Sequence, residues 1–245
     1  MDSQRIVSRE EWLAERRQLL EREKAHMRAG DEVAAARRAL PWVRIDKDYA
    51  FQTERGPTTL AGLFGRNSQL IVYHFMFAPG WEAGCVGCSF LADHIDAANL
   101  HLANHDVTLL AVSRAPLQEL LAYRRRMGWA FDWVSSHGSD FNADFQVSVS
   151  DTERAAGRRM YNFEMTEVEA DSSGEAPGIS VFFKDPAGTV FHTYSAYARG
   201  GDILIGAHNF LDLTPKGRNE DAIMDWVRRH DEYRDEYREE SRERA

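Results

Sequence analysis

Two continuous apolar runs, LIVYHFMF at 70–77 and VTLLAV at 107–112, stand out against a background of amphipathic segments. Runs of this length with no polar alternation predict strands buried on both faces. Between them Phe90, Leu91, Ile95, Ala98 and Leu102 recur at helical spacing, which predicts a strand, a crossover helix and a strand of the right-handed kind. Pro116 opens a second helical pattern through about Met127, and residues 131–135 read as a third strand. Residues 179–183 and 189–194 flank Asp185-Pro186-Ala187-Gly188 and predict a hairpin, and residues 49–53 and 58–64 flank a Gly56-Pro57 turn.

The two ends differ in pattern. Over residues 8–40, Ser8 and Glu11 have capping-box spacing and Trp12, Leu19, Leu20 and Met27 follow near helical period. Gly30-Asp31 is expected to break this run before a second short helix ending at Pro41. From Asn219 onward Ile223, Trp226, His230, Tyr233 and Tyr237 predict a helix with one aromatic face, followed by a solvated tail at 239–245. That face is expected to dock on the domain or on a second subunit. Three zones follow: a helical arm at 1–41, an α/β domain with a largely parallel sheet at 42–215, and a helical extension at 216–245. Residues 138–178, polar and broken by Asp171-Ser172-Ser173-Gly174, read as an insertion that forms a lid or a subunit contact.

Charge narrows the partners. The net charge of -9 and pI near 5.5 argue against nucleic acid or an anionic membrane, because such surfaces recruit clustered Lys and Arg. No stretch reaches bilayer length and the first residues lack an apolar leader core, so a cytoplasmic location is expected.

The two cysteines of the chain, Cys85 and Cys88, stand three apart between the first buried run and the crossover helix. A dithiol there either cycles between thiol and disulfide or holds a soft metal, since a structural disulfide does not persist in a reducing cytosol. Free N–H groups at a helix start favour thiolate, so Cys85 is expected to be the nucleophile and Cys88, one turn further in, the resolving thiol. Ser89 stands at the same helix start as a capping residue. Arg114, Ser135, Ser136 and His137 follow strands whose carboxyl ends converge on the same edge, and Arg114 is a candidate for stabilising a thiolate or an anionic substrate. His94, His101 and His105 share one helix side, with His101 and His105 spaced to share a metal. His74 reads as a core histidine. In the 211–218 turn, Lys216 and Arg218 are lesser candidates for an anion.

The succession of elements over 42–215 resembles the thioredoxin superfamily, in its peroxiredoxin-like branch. The chain is more similar still to a bacterial thioredoxin-like family of unknown function (domain of unknown function eight-nine-nine). That similarity lies in Leu40-Pro41-Trp42-Val43, His74-Phe75-Met76-Phe77, the stretch from Cys85 to Ser89, Val112-Ser113-Arg114-Ala115-Pro116, Arg126-Met127-Gly128-Trp129, Phe191-His192-Thr193-Tyr194-Ser195 and the LDLTPKGR block at 211–218.

The resemblance implies a mixed central sheet flanked by helices, and a cis proline before the closing hairpin, here Pro177. It implies a thiol-disulfide oxidoreductase with Pro177, Trp81 and Arg114 at the substrate edge, no cofactor, and a small-molecule or protein thiol or disulfide as partner. Two positions depart from the pattern. Glu82 stands where peroxiredoxins carry Thr or Ser three before the peroxidatic cysteine, and Gly84 stands where thioredoxins carry Trp. The implied hairpin also brings His192 toward Cys85 and Cys88, which leaves a copper or zinc site as an alternative. A third reading is a non-catalytic binding module whose terminal helices hold a partner or a second copy.

Overall fold

The computed structural model describes residues 4–169 and 172–233. The chain divides into two compact units, Met1–Pro41 and Trp42–Ala245. The first holds one helix, α1 (Arg9–Arg38). Ser8 Oγ accepts from the Glu11 amide and the Glu11 carboxylate accepts from the Ser8 amide, so the expected capping box closes. The expected break at Gly30-Asp31 does not occur. A glycine inside a helix costs only about 1 kcal/mol relative to alanine, and the Ala34-Ala35-Ala36 run beyond it, with Arg37 and Arg38 in the last turn, favours continuation.

The second unit runs β1 (Val43–Arg44), β2 (Ala50–Thr53), β3 (Gly56–Thr59), α2 (Leu60–Leu63), β4 (Gln69–His74), α3 (Val86–Ala92), α4 (Ile95–Ala103), β5 (Val107–Ser113), α5 (Leu117–Met127) and β6 (Trp133–Ser135). Then come α6 (Phe141–Asp144), α7 (Asp151–Ala156), β7 (Arg158–Tyr161), β8 (Glu164–Glu167), β9 (Gly178–Lys184), β10 (Val190–Tyr197), a 3-10 segment at Ala198–Leu204 and α8 (Gly206–Leu211). Eight strands form one sheet in the order β1-β10-β9-β4-β5-β6-β2-β3. Strands β4, β5 and β6 are parallel, and the other neighbours are antiparallel. The sheet is therefore mixed rather than largely parallel, because a hairpin closes each flank. This is the thioredoxin-like arrangement: a central strand, the dithiol, a helix, a parallel strand, and a closing hairpin against the other side of β4.

Alternation along β4 separates two cores. Leu70 and Val72 enter one with Phe51, Phe64 and Phe182, while Tyr73 enters the other with Phe75, Cys88, Phe90 and Trp133. Both faces of the strand are covered, as the unbroken apolar run predicted.

Other expectations shift locally. The β2 to β3 reversal falls at Glu54-Arg55, where Thr53 Oγ1 accepts from the Arg55 amide, and Gly56-Pro57 lies inside β3. Thr59 caps α2, which ends the expected 58–64 strand early. The single helix expected after the cysteines divides at Asp93-His94. Those side chains are committed elsewhere: Asp93 accepts from Trp129 Nε1, and His94 Nε2 accepts from the Ala207 amide. Within 138–178, β7 and β8 form a hairpin, and Ser148 pairs with Glu175 where the chain returns to the sheet. Asp171 of the expected break lies outside the described residues.

Residues 219–233 form turns and a 3-10 turn at His230–Glu232 in place of the expected α-helix. Asn219 and Met224 take φ of 48° and 61°, and the Asp225 carboxylate accepts from the Asp221 and Ala222 amides. Burial of Val227 and packing of Trp226 on Phe90 outweigh helical propensity there. Tyr237 and residues 239–245 lie outside the described residues. Among the described residues no helix is long and apolar enough to cross a membrane.

Candidate active site

Cys85 occupies the N-cap position of α3, with its amide donating to Met76 O at 3.2 Å. The Ser89 hydroxyl and amide both donate to Cys85 O, at 2.8 and 2.9 Å, so Ser89 ties the first turn together. Cys85 is partly exposed and Cys88 is 2% exposed, both as free thiols. The Cys85 thiol is pulled down to about 6, first by its hydrogen bond with the Cys88 side chain, then by the Cys88 and Gly87 amides at the helix start and by the charge of Arg229. Cys88 is pushed well above the ordinary thiol range by burial and by the neighbouring Cys85. The Met76 amide reaches Cys88 Sγ at 3.5 Å, and the buried Tyr73 hydroxyl is its side-chain hydrogen-bond partner.

Gly84 explains why the residue before the first cysteine carries no side chain. A Cβ there would lie 2.6 Å and 2.8 Å from the Phe75 ring and 2.9 Å from Tyr123. These rings pack directly on the backbone that presents Cys85. Tyr123, from α5, also shares a 2.9 Å hydrogen bond with Ser89 Oγ. On the other side Arg229 donates to Gly84 O through Nη2 at 2.7 Å and Nε at 3.2 Å. Met224 Sδ sits against Gly87.

Cys85, Cys88, Tyr73 and Pro177 line a common cavity of about 120 Å³. The expected cis bond is not found: every peptide bond among the described residues is trans, including the one before Pro177. Pairing of the incoming chain accounts for this, since the Ala176 amide donates to Val147 O at 2.8 Å and the Tyr161 hydroxyl donates to Pro177 O at 2.9 Å. Pro177 reaches the cavity without a cis bond.

The remaining sequence candidates are placed elsewhere. Trp81 stacks on Phe77 at 6.4 Å between ring centroids and lies outside the cavity lining. Arg114 places Nε and Nη2 each 2.8 Å from Glu175 Oε1, and buried Glu175 also accepts from Ser148. Its guanidinium serves a carboxylate from the insertion, and the cation that acts on Cys85 is Arg229. His137 lies on Arg114 O, and Ser136 donates to Asn142 Oδ1. Arg218 is paired with Asp212.

The metal alternative fails on geometry. His192 lies on the opposite face of the sheet, packed on Phe145 and Phe182, with Nε2 on Ser195 Oγ at 2.8 Å. The hairpin does flank β4, but the register shift between His192 and Tyr194 turns this side chain away from the dithiol. Among the described residues no group of three or more His, Cys, Asp or Glu could hold a metal ion. Tyr73, Met224 and Arg229 were not among the residues the sequence singled out, and Gly84 entered only as a departure from the thioredoxin pattern. Only Gly84, directly before the first cysteine, carried a local signal.

No curated protein matches the chain. Among solved structures it is similar to peroxidoxin BcpB from Mycobacterium tuberculosis, at 13% identity over 68% of this chain and 94% of that one, with a TM-score of 0.39. Peroxiredoxin Q from Xanthomonas campestris matches at 16% identity over 64% and 88%, with a TM-score of 0.39. A putative protein disulfide isomerase from Bacteroides thetaiotaomicron matches at 16% identity over 74% and 94%, with a TM-score of 0.37. The family model described as "Bacterial protein of unknown function (DUF899)" matches residues 1–233, and the chain belongs to that family.

Proposed function

We propose that the chain is a thiol-disulfide oxidoreductase in which Cys85 is the nucleophile and Cys88 the resolving thiol. One observation carries the reading. A low-pKa thiol at the start of α3 and a buried, high-pKa thiol one turn further in open on the same cavity. In the first step the Cys85 thiolate attacks one sulfur of a disulfide, forming a mixed disulfide and releasing the other half as thiolate. Cys88 then attacks Cys85 Sγ. Its proton passes to the departing sulfur, leaving a Cys85–Cys88 disulfide and a reduced substrate. Two electrons have moved from the dithiol to the substrate, and an external thiol returns them. Pro177 shapes the wall that the substrate meets, and the chain works where its thiols stay reduced, as in the cytoplasm.

Cys85→Ser should abolish disulfide reduction, and Cys88→Ser should trap the mixed disulfide. Wild-type protein whose free-thiol count does not fall by two on exposure to an aliphatic disulfide would reject the reading and leave the binding module.

A further inference from the structure

The cavity beside the dithiol is small and apolar. Its walls include Leu91, Ile179, Ala196, Ile205 and Met224, with the two sulfurs at one side. Among the described residues no lysine, arginine or histidine lines it, and its carboxylate, Asp202, accepts from Arg199 Nε at 2.9 Å. Arg229, the cation closest in effect to Cys85, is turned onto Gly84 O and Glu232. An anionic arm entering here would meet a carboxylate and no cation, and a zwitterionic peptide arm would leave its charges unpaired against aliphatic walls. An aliphatic or aromatic arm meets partners on every side.

Size sets the other bound. A water molecule has a share of about 30 Å³ in the liquid, and an apolar protein cavity of about 150 Å³ takes up benzene. A volume of about 120 Å³ therefore suits an arm of roughly four to six non-hydrogen atoms.

We propose that the substrate of this dithiol is a disulfide with at least one small, uncharged, apolar arm, which fills this cavity while its sulfur is bonded to Cys85. The proposal rests on the oxidoreductase reading. The arm selects which half of the disulfide stays on the protein: the apolar half is held beside Cys88, and the other half leaves as thiolate. Attack by Cys88 then expels the apolar half as its thiol, with the electron balance given above.

Methanethiosulfonates test the arm apart from turnover. The Cys85 thiolate attacks the sulfenyl sulfur, a disulfide to the arm forms, and methanesulfinate leaves. On Cys88→Ser protein, butyl and pentyl reagents should form the Cys85 adduct at least tenfold faster than the 2-sulfonatoethyl and 2-trimethylammonioethyl reagents, each rate being normalised to a free thiol. Ala196→Leu, which fills the cavity, should remove the butyl advantage. Met224→Lys should raise the rate of the anionic reagent without needing a core residue to change. Charged reagents that react as fast as butyl, or a butyl advantage that survives Ala196→Leu in folded protein, would overturn the assignment. Failure of the oxidoreductase reading looks different: the apolar preference would hold on Cys88→Ser, yet the wild type would never convert its adduct to the Cys85–Cys88 disulfide.

Discussion

The guanidinium of Arg229 holds the carbonyl of Gly84, 145 residues away in sequence, at 2.7 Å and 3.2 Å. The bond anchors the segment that follows α8 to the loop that presents Cys85, and it sets a positive charge near that sulfur. Arg229→Gln should raise the Cys85 pKa toward the ordinary thiol range and slow iodoacetamide alkylation at pH 6 about two- to threefold. Arg229→Lys should restore part of the rate. The pH profile of alkylation is the measurement, and an unchanged profile in Arg229→Gln would remove Arg229 from thiolate stabilisation.

The same carbonyl belongs to a glycine with no room for a side chain. Gly84→Ala forces Cβ into the Phe75 and Tyr123 rings, both buried among other aromatics and unable to retreat. Overpacking of this kind costs about 1–3 kcal/mol. The urea midpoint should fall accordingly, and a midpoint equal to wild type would show that the loop yields instead.

How far the sequence reached is visible in these residues. The dithiol and its helix were legible because an unbroken apolar run followed by a helical period is local information. The central strand, the crossover and the hairpin were legible for the same reason. Arg229 and Met224 were not, since residues 219–233 carry a helical spacing of apolar positions that tertiary packing overrides with φ values of 48° at Asn219 and 61° at Met224. Arg114 was read correctly at the carboxyl end of β5, but its partner Glu175 arrives from the insertion, whose return path no periodicity marks. His192 was placed on the right strand, and the register shift between His192 and Tyr194 leaves it on the far face.

Burial and electrostatics order the two thiols. Cys85 is partly exposed and drawn down to about 6, whereas Cys88 is enclosed and pushed up. Brief iodoacetamide treatment at pH 7 should label Cys85 on the order of a hundredfold faster, because the thiolate is the reacting species. Peptide mapping by mass gives the order, and preferential labelling of Cys88 would reverse the roles of nucleophile and resolving thiol.

Tyr73 offers its hydroxyl to Cys88 inside the core. In the proposed exchange Cys88 must lose its proton before it attacks the mixed disulfide, and this hydroxyl and the Met76 amide are the donors placed to hold the thiolate that forms. Tyr73→Phe keeps the ring and deletes one hydrogen bond to a charged group, worth about 1.5 kcal/mol. Formation of the Cys85 adduct should stay within about twofold of wild type, while its conversion to the intramolecular disulfide slows roughly tenfold. Quenched-flow mass analysis separates the steps, and equal slowing of both would mean that the ring merely shifted.

On the opposite face of the sheet, His74 is buried with Nε2 on Ser180 Oγ at 2.8 Å and Nδ1 without a partner. Burial, with a smaller contribution from His192, pushes its pKa down to about 3. The sign follows from linkage. The folded protein keeps His74 neutral, the unfolded chain binds a proton below about pH 6.5, and stability is therefore full above that pH and lost as pH falls toward 3. Each pH unit in that window removes about 1.4 kcal/mol through this one group, so about 2 kcal/mol should go between pH 6.5 and pH 5.0. His74→Gln retains a donor for Ser180 and cannot take up the proton. Urea unfolding at pH 7.5 and pH 5.0 should show a stability difference smaller by about that amount in the variant, with other titrating groups cancelling between the two proteins. An identical pH dependence in wild type and His74→Gln would show that His74 becomes protonated inside the fold.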